Sequence, residues 1–317
     1  MIPITETQAT PLPNCFDISR EVAQALHYKK PIVALESAVI THGLPYPKNI
    51  QLALDMEAEI ISHQAIPATI ALLDGKIKVG LSREELERLG TEKKVNKISR
   101  RDFAPAIAHK QSGGTTVSAT MYAAKTVGIH VFATGGIGGV HRNATNDISP
   151  DLPELSQTAV IVVCAGAKAI LDIPATIEYL ETYGVPVLGY QCDEFPAFYA
   201  AKSGIPVHCR VESPWEIIEI TKIHWNLGFK SGILVVNPPP EQFAMDYETI
   251  DVAVLAALKN SELAKIKGQA VTPFLLQKMS ELTHGESLTS NIALLLNNAK
   301  LAAQIATQLH SSPAYRI

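Results

Sequence analysis

Short, strand-like apolar runs alternate along this chain with helix-like stretches. The runs are residues 31–36, 128–133, 159–164, 185–189 and 232–236, with 97–99 a shorter candidate. Residues 68–73 and 76–79 flank Asp74-Gly75, a strong turn dipeptide, and read as a hairpin. Between the runs, apolar residues recur at helical spacing over 19–29, 48–63, 116–127, 173–182 and 214–227. Ser82 and Glu85 form a capping box. The last third is mostly helical, over 248–267, 272–282 and 288–309. Strands alternating with helices predict a layered α/β/α sandwich. Strands apolar on both faces predict a central, mostly buried sheet, here with a helical C-terminal part. Pro3, Pro11, Pro13 and Asn14 mark residues 1–18 as a loose arm. No polar linker divides 19–317, which read as a single catalytic α/β domain.

Composition narrows the function classes. The chain has 317 residues, 47% hydrophobic and 18% charged, enough for a large core. A net charge of −4 gives no electrostatic case for nucleic acid or an anionic membrane. No basic start followed by an apolar segment reads as a secretory signal, and no apolar run reaches membrane-spanning length. The 4 cysteines are scattered without metal spacing, and Cys164 and Cys192 lie in apolar runs. A cytoplasmic enzyme is expected.

In α/β sheets, ligands gather at the carboxyl ends of strands. Lys168 stands just past the most apolar run, residues 159–164. Burial lowers a lysine's pKa, and a neutral amine can form an imine with a carbonyl carbon. By position alone the favoured reading of Lys168 is a snorkelling lysine with its head in water. Glu36 ends the first run, and the glycine run Thr134 to Gly139 follows another. Gly135, Gly136, Gly138 and Gly139 do not give G-x-G-x-x-G, so a tight loop lining a pocket is expected instead of a dinucleotide fingerprint. Ser112 to Thr116 precedes a helix and suits either an anion or a plain cap. His141 and Arg142 could meet an anion or move a proton. Asp147 and Asp151 flank Ser149 and offer hard oxygen donors for Mg²⁺ or Mn²⁺, or simply cap a helix. Asn291, in the first turn of a helix, carries an amide that can match a nucleobase edge.

Together these segments resemble the pseudouridine-5′-phosphate glycosidase, or indigoidine-synthase-A-like, family. The matching stretches include Val33 to Ser37, Thr41-His-Gly, Lys97 to Asp102, Gly114 to Val117 and Phe132 to Arg142. Further on they include Asp147 to Asp151, Val163 to Lys168, Asn237 to Phe243, Thr272 to Leu276 and Ser290 to Ile292, in family order over residues 20–309. The loop from Arg142 to Asp147 is a couple of residues shorter than the family form, and Pro150 replaces a more usual small residue.

The resemblance implies reversible cleavage of pseudouridine 5′-phosphate to uracil and ribose 5-phosphate. It implies Glu36 as proton donor, Lys168 as nucleophile and Asp151 as supporting carboxylate. Lys97, Val117, His141, Ser149, Pro150, Asp151 and Asn291 are implied in substrate binding. It also implies one Mn²⁺ at Asp147, held mostly through waters, and a homotrimer. The chemistry suits the residues: the bond to be broken joins two carbons, so a simple carboxylate pair would struggle. Lys168 can trap ring-opened ribose at C1′ as an imine, while an acid protonates uracil C5 or the sugar oxygens. A Schiff-base aldolase acting on a sugar phosphate, and a non-catalytic nucleotide-binding protein, are the alternatives.

Overall fold

The structure is a computed structural model and describes residues 12–92, 95–142, 147–264, 266 and 271–311. Residues 1–11 of the expected arm and 143–146 of the shortened loop lie outside the described residues.

The elements in chain order are β1 (Phe16–Ile18), α1 (Arg20–His27), β2 (Ile32–Leu35), α2 (Ala38–His42), α3 (Lys48–Ser62), β3 (Ile66–Leu73), β4 (Lys76–Val79), α4 (Arg83–Thr91) and β5 (Asn96–Ile98). Next come α5 (Phe103–Ala108), β6 (Gly113–Thr115), α6 (Val117–Val127), β7 (Val131–Ala133), β8 (Val140–His141), α7 (Asp151–Leu155), β9 (Ile161–Cys164) and β10 (Leu171–Asp172). The chain ends with α8 (Ile173–Thr182), β11 (Val187–Tyr190), β12 (Cys209–Val211), α9 (Pro214–Asn226), β13 (Ile233–Val236), α10 (Tyr247–Leu263), α11 (Val271–Leu282) and α12 (Glu286–Ser311).

The main sheet runs β1-β4-β3-β2-β7-β9-β13-β11-β12, with β6 joining β3 and β5. From β3 to β12 every neighbour is parallel. β2, β7, β9 and β13 are buried throughout, as their unbroken apolar runs require. Helices cover both faces: α12 packs on β2, β7 and β9 beside α3 and α9, while α6 packs on β2 and β3 beside α7. The expected α/β/α layering with a helical C-terminal part is therefore present.

Local chemistry explains the details. Asp74 and Gly75 take left-handed backbone (φ 49° and 77°) and close the β3–β4 hairpin. Ser82 and Glu85 make both bonds of the capping box at α4. The run expected to begin at Gly128 starts pairing only at Val131, because Gly128 is the left-handed cap that ends α6. Two expectations change. Phe16–Ile18, within the stretch read as a loose arm, pairs in parallel with β4. Ser112 to Thr116 is not an open anion loop: Gly113–Thr115 is a buried strand between β3 and β5.

Candidate active site

The central strands end side by side, and that places the chemistry. Glu36 follows β2, Thr134 follows β7, Lys168 follows β9 and Asn237 follows β13. The loop carrying Lys168 is laced to the glycine loop by three backbone bonds: Ala165 N–H to Gly135 O, Ile137 N–H to Gly166 O and Lys168 N–H to Ile137 O. Gly166 is left-handed (φ 86°), and a side chain there would run into the Pro196 carbonyl. The lysine thus rises from a fixed turn.

Two chambers meet at Glu36, Ala38, Lys97 and Lys168. The larger, about 280 Å³, adds Ser99, Arg101, Thr116, His141, Asp147, Ser149, Pro150 and Asp151 to its wall. The smaller, about 50 Å³, is walled by Val39, His42, Phe198, Asn291 and Leu295. The larger wall mixes polar and apolar surface and alone carries Arg101 and His141; the smaller is mainly apolar, with the Asn291 amide and the His42 imidazole.

Glu36 is buried, and burial pushes its carboxyl pKa above the usual range. Lys168, the Thr134 hydroxyl and Lys97 pull the other way, while Asp151 adds to the rise. Thr134 Oγ donates a short hydrogen bond to Glu36 Oε1. Ser37, the next residue, donates to the Ile70 carbonyl at 2.6 Å and accepts from Thr115 N–H at 2.9 Å, which fixes where Glu36 leaves the sheet. Lys97 is mostly buried; burial first and Lys168 second lower its pKa. His42, beside Lys97, is lowered for the same two kinds of reason and meets the Thr41 hydroxyl at 2.5 Å.

Asp151 is buried and accepts from Ser118 N–H at 2.9 Å and Gly138 N–H at 2.8 Å. It therefore fills the N-terminus of α6 itself, where the sequence suggested a ligand anion or a cap. Gly138 must lack a side chain, since a Cβ would meet Ser149 and Asp151. Val117 does not line either chamber; its side chain is in the core and its neighbour Thr116 lines the wall instead. Arg142 also turns away, bonding Asp251 at 2.6 Å and the Leu171 carbonyl at 3.1 Å. His141 stays on the wall, fixed by β8–β10 pairing and by its N–H to the Asp147 carbonyl.

Among the described residues no three His, Cys, Asp or Glu side chains converge as a metal cluster. Asp147 is exposed at the rim of the larger chamber. A lone hard carboxylate in that setting fits an ion that keeps most of its waters. No helix among the described residues is long and apolar enough to cross a membrane.

Sequence reasoning passed over Thr134, Phe198, Ser99 and Arg101. Phe198 holds a left-handed backbone (φ 63°), rare for a bulky residue, with its N–H on the Ala165 carbonyl. Its ring lies where a Cβ on Gly136 would sit. Nothing in the alternating pattern points to that loop.

The indigoidine synthase A-like family model matches residues 21–308. The chain belongs to the indigoidine synthase A-like family. Relatives of this family member include pseudouridine-5′-phosphate glycosidases of Caldanaerobacter subterraneus subsp. tengcongensis, 53% identical over 93% of this chain and 96% of the relative, and of Staphylococcus aureus, 50% identical over 94% and 98%. Two solved structures share its fold. An indigoidine synthase A-like protein from Thermotoga maritima matches with TM-score 0.86 and 36% identity over 93% of this chain and 96% of that one. A prealnumycin C-glycosynthase in complex with ribulose 5-phosphate matches with TM-score 0.87 and 36% identity over 94% and 98%. This indigoidine synthase A-like protein is an enzyme.

Proposed function

We propose that the protein cleaves and forms the carbon–carbon glycosidic bond of pseudouridine 5′-phosphate, interconverting it with uracil and ribose 5-phosphate. The observation that carries this reading is the meeting of Lys168 and a buried acid, Glu36, at the junction of two chambers, the larger richer in charged side chains and the smaller mainly apolar. The larger suits a sugar phosphate, with Lys97, Ser99, Arg101, His141 and Ser149 on its wall. The smaller offers a single-ring base Asn291 as a reading amide and Phe198 as an aromatic face, and would have to widen from about 50 Å³ to take the whole ring. The names of the relatives, and the sugar phosphate bound to the C-glycosynthase, support the same assignment.

The electron flow can be balanced on these residues. The uracil N1 lone pair expels O4′ from C1′, and Glu36 protonates the departing oxygen. The Lys168 amine adds to C1′, which restores the uracil ring. The new ammonium at Lys168 returns a proton to the Glu36 carboxylate, which delivers it to uracil C5. The amine lone pair becomes the C1′=N bond as the C1′–C5 pair returns to the C5=C6 bond. Uracil leaves, and water hydrolyses the imine to ribose 5-phosphate and free Lys168. Asp151 acts as a supporting carboxylate by holding the Gly138 amide and the start of α6. Asp147 would hold a hydrated Mn²⁺, whose charge would help neutralise the substrate phosphate. A homotrimer, as the family resemblance implies, acting in the cytoplasm completes the proposal.

The test is uracil release from pseudouridine 5′-phosphate with and without Mn²⁺. Release that is lost in Lys168→Ala, a variant that still folds, is the expected result. Sugar-phosphate cleavage without uracil release would favour the Schiff-base aldolase instead.

A further inference from the structure

We infer that Asn298, held in turn by Asn237, is a positioning residue for the acid Glu36. The inference rests on the proposed role of Glu36 and adds the machinery that aims it. Asn298 lies two turns beyond Asn291 on α12, is fully buried, and donates from Nδ2 to the Thr134 carbonyl at 2.9 Å and the Gly135 carbonyl at 3.5 Å. Its Oδ1 accepts from Asn237 Nδ2 at 3.0 Å. Asn237 is itself tied to β9 by its N–H on the Cys164 carbonyl at 2.8 Å, and Asn297 Nδ2 clamps the next carbonyl, that of Pro238, at 3.1 Å.

Both peptide units gripped by Asn298 bear on chemistry. Thr134 supplies the hydroxyl that donates to Glu36 Oε1. Gly135 opens the loop whose carbonyl receives Ala165 N–H, in the turn that carries Lys168. With Oε1 engaged as an acceptor, Oε2 is left to carry the proton toward the substrate. A buried amide pair in this apolar surrounding is costly unless every bond is made, so the pair fixes one arrangement and resists others. Asn291 and Asn298 share α12, so the helix that presents an amide to the base also sets the acid. The charged groups that act on Glu36 are Lys168, Asp151 and Lys97, from the turn after β9, from α7 and from β5.

The test compares Asn298→Ala, Asn298→Ser, Thr134→Val and Thr134→Ser with wild type in uracil release across pH, with melting curves and borohydride trapping of ribose 5-phosphate on each. For Asn298→Ala and Thr134→Val we expect kcat to fall about tenfold or more, the range of a mispositioned general acid, with KM little changed. The loss of kcat at rising pH should move to higher pH, since the Thr134 bond that lowers the Glu36 pKa is weakened or gone. Thr134→Ser should recover most of the rate. The double variant Asn298→Ala with Thr134→Val should show no larger pH displacement than Thr134→Val alone. Should Asn298→Ala not fold, Asn298→Ser carries the comparison. Folded Asn298 variants with wild-type kcat and pH profile would overturn the inference. Wild-type enzyme that neither traps ribose 5-phosphate nor releases uracil would instead overturn the proposed function.

Discussion

Glu36 is a carboxyl placed where ionisation is costly, and its chemistry follows from that. Burial is the largest influence on it, larger than the cation of Lys168 or the hydroxyl of Thr134. An acid so placed holds its proton to higher pH than an ordinary carboxyl does, the direction a general acid needs. Glu36→Gln should lower kcat by about 10²-fold or more, as loss of a general acid does, while sugar-phosphate binding persists. Steady-state kinetics against adduct trapping separates the two effects. Stability should move the other way. A carboxyl whose folded pKa is raised contributes stability below 4.5 and loses it as pH rises through the raised value. Glu36→Gln is therefore expected to melt no lower than wild type at pH 8, and a clearly lower melting temperature would contradict this account.

At the level of elements, the site is made by turns bonded to one another. Asp151, at the first residue of α7, satisfies the start of α6 and the glycine loop together. Asp151→Asn weakens two charge-assisted bonds and should cost about 2 kcal/mol in denaturant unfolding, with kcat reduced because Gly138 loses its anchor. The strand-end residues Glu36 and Lys168 were legible because apolar runs announce where strands stop. Asp151 was legible as a candidate residue, but its partner was not: whether a helix start receives a ligand or a side chain depends on an approach 33 residues away in sequence. Val117 was assigned to the substrate on family pattern, and the fold turns its side chain into the core. β8 and β10, with two residues each, carry no periodicity to read. Phe198 was hidden because its place is set by a long-range bond, from its N–H to the Ala165 carbonyl, that no local pattern reports. Phe198→Ala should raise the KM for uracil in the synthetic direction about tenfold, the order of one base–aromatic stack, and leave trapping of ribose 5-phosphate unchanged.

Across the whole molecule, the main apolar core takes in the central strands and the helices on both faces, from Val22 on α1 to Leu309 on α12, with two smaller clusters besides. The parallel order is what brings the carboxyl ends of β2, β7, β9 and β13 together at one edge of that core. Alternating runs in the sequence imply such an order, although the strand sequence itself needs the long-range pairing. With a chain of 34.2 kDa, sedimentation of the proposed homotrimer should give a mass three times that value. A single-chain mass for fully active enzyme would contradict it. The central claim concerns one amine at that edge. Ribose 5-phosphate and borohydride, followed by peptide mass analysis, should leave one reduced sugar-phosphate adduct on Lys168, lost in Lys168→Ala. Uracil release that proceeds at full rate with no adduct, or with the adduct on another lysine such as Lys97, would contradict the account.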